Sequence, residues 1–90
     1  MSMVYKNNED LILATGRVIA ALKELSTKGI AVVSIEFTSL QPVIAVQHCP
    51  GNRRLTSVVF ARIQDVAGVK FIRKISHIHN CAVIWEEEEV

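Results

Sequence analysis

The stretch Gly29–Gln47, GIAVVSIEFTSLQPVIAVQ, limits what this chain can become more than any other. Ala31, Val33, Ile35 and Phe37 alternate with Ser34, Glu36 and Thr38. A period of two places alternate side chains on opposite faces of a strand, so the pattern predicts a half-buried strand. After a polar break that ends in Pro42, Ile44 and Val46 resume the alternation. The two runs predict a β-hairpin whose connection is Ser39–Pro42. One apolar face of such a hairpin needs a second layer over it.

The preceding segment supplies that layer. Asn7 and Asn8 stand before Glu9 and Asp10. An Asn at the N-cap accepts a bond from a free helix N–H, and acids in the first turn suit the helix dipole. Leu11, Ile12, Val18, Ile19, Leu22 and Leu25 share one arc of a helical wheel, and Arg17, Lys23, Glu24 and Lys28 fall outside it. This predicts an amphipathic helix of about five turns, stopped by Gly29. Leu13 falls on its polar side as an isolated surface leucine.

Residues 53–67 carry two conflicting signals. Val58, Val59 and Phe60 favour a strand by propensity. On a wheel, however, Leu55, Thr56, Val59, Phe60, Ile63, Val66 and Ala67 share one arc, with Arg54, Arg62 and Asp65 opposite. Periodicity outranks propensity here, so a second helix is expected over Arg53–Ala67. Val69, Phe71 and Ile75, then Cys81, Val83 and Trp85, predict a second hairpin. The expected fold is α+β, a two-layer sandwich of order α-β-β-α-β-β. It has a four-stranded, mainly antiparallel sheet with two helices on one face. The alternative is one helix on a five-stranded antiparallel meander.

Ninety residues make one domain, 1–90, with a frayed lead (1–6) and an acidic tail (86–90). Half the residues are hydrophobic, which excludes a disordered chain. Charge is uneven. Of nine acidic residues four are Glu86–Glu89, which leaves residues 1–85 with ten basic against five acidic groups. No targeting or membrane-spanning run is visible, so a cytoplasmic location is the default expectation, with both cysteines as thiols.

Candidate chemistry is thin. His48, Cys49, His77, His79 and Cys81 are metal-capable, yet no Cys-x-x-Cys or His-Glu-x-x-His is present. Only an all-strand reading of residues 55–63 would bring the two groups to one end of the sheet. Cys49 beside His48 lacks an orienting third group for nucleophilic catalysis. No enzyme, metal or cofactor is therefore expected. Arg53, Arg54, Arg62, Lys70, Arg73 and Lys74 form a basic set able to meet phosphates or an acidic protein. Aromatic residues are too few for a base-stacking platform. Alternation puts Ile30, Val32, Val43 and Ala45 on the sheet face away from the helices, where four apolar side chains need cover. The expectation is a small non-enzymatic interaction or regulatory module. It binds itself, as a homo-oligomer, or a larger protein through that face. The alternative is nucleic-acid binding by the basic set. An accessory protein of a bacterium or phage fits such a chain.

Overall fold

The computed structural model describes residues 7–38 and 41–89. The expected lead, residues 1–6, and the Ser39–Leu40 part of the first hairpin connection lie outside them. Helix α1 (Asn8–Thr27) starts as its capping residues dictate. The Asn7 side chain accepts the Asp10 backbone N–H at 2.9 Å, and Glu9 and Asp10 occupy the first turn. Gly29 takes a left-handed φ of +71°, which ends the helix and turns the chain toward the sheet. The buried stripe is Ala14, Val18, Ala21 and Leu25. It is rotated from the expected arc, and it leaves Ile12 and Ile19 exposed along with Leu13.

Five strands follow: β1 (Val32–Phe37), β2 (Pro42–Val46), β3 (Val58–Gln64), β4 (Lys70–Ile78) and β5 (Cys81–Glu88). They form one mixed sheet in the order β1-β2-β5-β4-β3, with β2 and β5 parallel and the other pairs antiparallel. The α+β class holds, but the two-helix, four-strand arrangement does not. Residues 53–67, expected to form the second helix, instead give the end of a short 3-10 turn (Pro50–Arg54) and then β3, laddered to β4 from Val58 to Gln64. The meander alternative has the right number of strands in the wrong order, because β5 sits between β2 and β4.

β5 holds the centre and is apolar on both faces, as a strand flanked on both sides should be. On the helix side Cys81, Val83 and Trp85 pack with Ile44 and Val46 of β2, Ile78 of β4, and Val18, Ala21 and Leu25 of α1. Leu55, on the crossing from β2 to β3, and Ile30 complete this core. Each fully buried aliphatic such as Leu25 contributes about 1.5–3 kcal/mol.

Candidate functional site

The ladders fix which side chains share a face. Ile44, Val83, Ser76 and Lys74 point to the helix side with their partners along the strands. On the other side the register aligns Ser34, Ala45, Ile84, Ile75 and Val58 in one row across all five strands. Apart from Ser34 this row is apolar, and no described helix covers it. Both edge strands break register, β1 at Val33 and β3 at Phe60. An extra residue re-aims a side chain. Here it brings Val33 and Phe60 to the rim of a shallow hollow of about 610 Å3, floored by Ala45 and Ile84. His48 and the Arg73–Glu86 pair border the hollow. Val33 is 62% exposed, Val58 63% and Phe60 50%.

Of the four residues expected on this face, Val43 and Ala45 lie there, level with Ala82 and Ile84. Ile30 and Val32 do not: Ile30 is a core residue and Val32 packs against the core. The cause is the irregularity at Val33, which shifts the alternation by one and exchanges the faces of the residues before and after it. Strict alternation from Phe37 backwards therefore misplaces Ile30 and Val32. The sequence reading missed Val33, Phe60, Ile75, Val58 and Ile84. Ile84 had a usable signal, since apolar residues on both faces of residues 81–85 mark a central strand.

The basic set is divided. Arg53 and Arg54 lie in the 3-10 turn, and the rest are on β3 and β4. The acidic segment is no loose tail: Glu86, Glu87 and Glu88 belong to β5. It meets the basic set side chain by side chain. Arg73 Nε donates to Glu86 at 2.6 Å, Lys74 Nζ lies 3.2 Å from Glu87, and Arg62 pairs with Glu89 at 3.3 Å. Among the described residues Lys70, Arg53 and Arg54 make no such ion pair. Glu87 also accepts the Trp85 indole N–H at 2.8 Å. That hydrogen bond, with Lys74 beside it, holds the Glu87 carboxyl below its ordinary range, against the opposing effect of partial burial.

The all-strand form of residues 58–64 does not assemble the His and Cys residues. Because β2 and β5 run parallel, His48 and Cys49 follow the end of β2, whereas Cys81 begins β5 at the opposite end of the sheet. Among the described residues no three His, Cys, Asp or Glu side chains converge as a metal site. Cys49 Sγ donates to Asn52 Oδ1 at 3.3 Å, and the Asn52 amide donates to the Gln47 carbonyl at 3.1 Å, which ties the turn after β2. Cys81 is fully buried, and burial pushes its thiol up, partly countered by Arg17. His79 pairs with Glu24 of α1, which also takes Lys28. No described helix is long and apolar enough to cross a membrane. Comparison with protein-family models, with curated proteins and with solved structures returns no match. The functional reading therefore rests on the face itself.

Proposed function

We propose that this chain is a non-enzymatic interaction module whose working surface is the helix-free face of the sheet. One observation carries the reading: an apolar row crosses four of the five strands, from Ala45 to Val58, and irregularities in both edge strands add Val33 and Phe60 to it. A contiguous exposed apolar surface with a polar rim is what a binding face presents. The three ion pairs made by Glu86, Glu87 and Glu89 leave fewer cations for a phosphate backbone, which favours this reading over nucleic-acid binding.

Val33→Asp and Phe60→Asp test it, because both side chains are already exposed and the substitutions spare the core. The expected result is loss of every assembly the wild-type chain forms, with the far-ultraviolet circular dichroism unchanged. Assembly that survives both changes, together with oligonucleotide binding abolished by Arg53→Glu, Arg54→Glu and Lys70→Glu, would transfer the function to the basic residues.

A further inference from the structure

We infer that the occupant of the helix-free face is a second copy of this chain, packed sheet to sheet about a twofold axis that runs along β5 beside Ile84. The inference rests on the reading of that face as the working surface and names its partner.

Three observations select a copy. The first is area. The molecule is a slab of 45 × 32 × 19 Å. The rectangle that bounds its broad face is on the order of 1,400 Å2, an upper limit to what a partner can cover, and a stable interface needs roughly 800 Å2 per partner. A copy has the matching outline. The second is charge. The chain carries a formal net charge of only +1; on the face Arg73 and Glu86 neutralise each other, and two further carboxylates, Glu36 and Glu88, stand toward opposite ends of the strands, away from the apolar row. With so small a net charge two copies approach without strong long-range repulsion. Glu86 brings its countercharge with it.

The third is symmetry. β5 is the middle strand of five, and Ile84 is the middle of the apolar row. A twofold along β5 reverses the row onto its copy. Ala45 then meets the partner's Ile75, and Val58 meets the partner's Ser34 with the bulged Val33 beside it. Off the axis small faces large, as interdigitating sheets about 10 Å apart require, and on it Ile84 meets its own copy. Edge-to-edge growth is the competing arrangement, and the irregularities at Val33 and Phe60 blunt both edges against it. The product is a closed, four-layer α/β/β/α dimer with isologous contacts.

The full chain, in a Cys49→Ser background that removes the half-exposed thiol, tests this. The expected result is a dimer by analytical ultracentrifugation at micromolar concentration. Ile84→Cys cross-links to itself with a short bismaleimide, whose span suits sheets about 10 Å apart, while Val59→Cys, on the helix side of β3, does not. Val33→Asp weakens the dimer by about a hundredfold or more, as an unpaired charge at a packed contact does. Two results overturn it, and they differ. A wild-type monomer at about 100 μM whose Val33→Asp and Phe60→Asp forms lose a different protein partner removes the second copy but keeps the interaction face. A dimer that cross-links through Val59→Cys and ignores Val33→Asp removes both.

Discussion

Trp85 brings its indole N–H to the edge of the core, and Glu87, two residues on along the same face of β5, accepts it. The tryptophan is 4% exposed, so the N–H has little access to water. Glu87→Ala leaves it unpaired, and the expected cost is about 1–3 kcal/mol in denaturant unfolding, followed by the fluorescence of the single tryptophan. Glu87→Gln keeps an acceptor but loses the charge that faces Lys74, so it isolates the pH-dependent part. The folded-state value of Glu87 lies below its ordinary 4.5. A group depressed in the folded state adds stability above its unfolded value and forfeits it as pH falls through the folded one. The difference between wild type and Glu87→Gln should therefore be full at pH 7, shrink below about pH 4.5, and level off once both states are protonated. A difference that stayed constant down to pH 2 would show that the carboxylate charge has no part in it.

The β4–β5 hairpin turns on His79 and Asn80, both with positive φ, 49° and 60°. A two-residue turn of that hand favours Asn-Gly, since a side chain in the left-handed region costs about 1–2 kcal/mol and least for Asn. Replacing His79-Asn80 by Asn-Gly should raise stability by about 1 kcal/mol, even with the exposed His79–Glu24 pair lost, because such pairs contribute little. Thermal unfolding of the variant checks this, and a lowered midpoint would show that the Glu24 contact matters more than the turn. Elements of this local kind were legible in the sequence: the Asn7 cap, the Gly29 stop and the Ile44–Val46 alternation all stand where they were read. β3 was not legible, and the reason is physical. The irregularity at Phe60 breaks the period of two, so Val59, Phe60 and Ile63 acquire a spacing that also suits a helix. β3 is moreover an edge strand exposed along much of its length, so its burial pattern never matched the alternation of a half-buried strand. The candidate face was legible to the same extent. Val43 and Ala45 follow from a regular strand, whereas Val33 and Phe60 reach the face only through breaks in register that no periodicity reports.

At the scale of the whole molecule the proportions are unusual for a chain this length. The radius of gyration is 14.3 Å, against about 12 Å for a compact domain of 90 residues. The excess follows from the layers. One helix about 10 Å across covers two or three strands spaced about 4.8 Å apart, and the sheet has five. The opposite face has no described helix at all. A monomer so built leaves apolar surface in water that a second layer would bury, and in the proposed dimer part of the stability would belong to the assembly. The dimer makes a specific prediction from this. When folding and association are coupled, each tenfold rise in protein concentration adds about 1.4 kcal/mol per dimer. For a two-chain unit of this size that is a rise of about 3–6 °C in the unfolding midpoint. Scanning calorimetry of the full chain over a hundredfold range of concentration should show the midpoint climbing by that step per decade. In Val33→Asp the same scan should be flat and lie below the wild-type line at every concentration. A flat wild-type line would mean that the monomer holds its own fold with the face open, and that coupled folding and dimerisation do not occur in this chain.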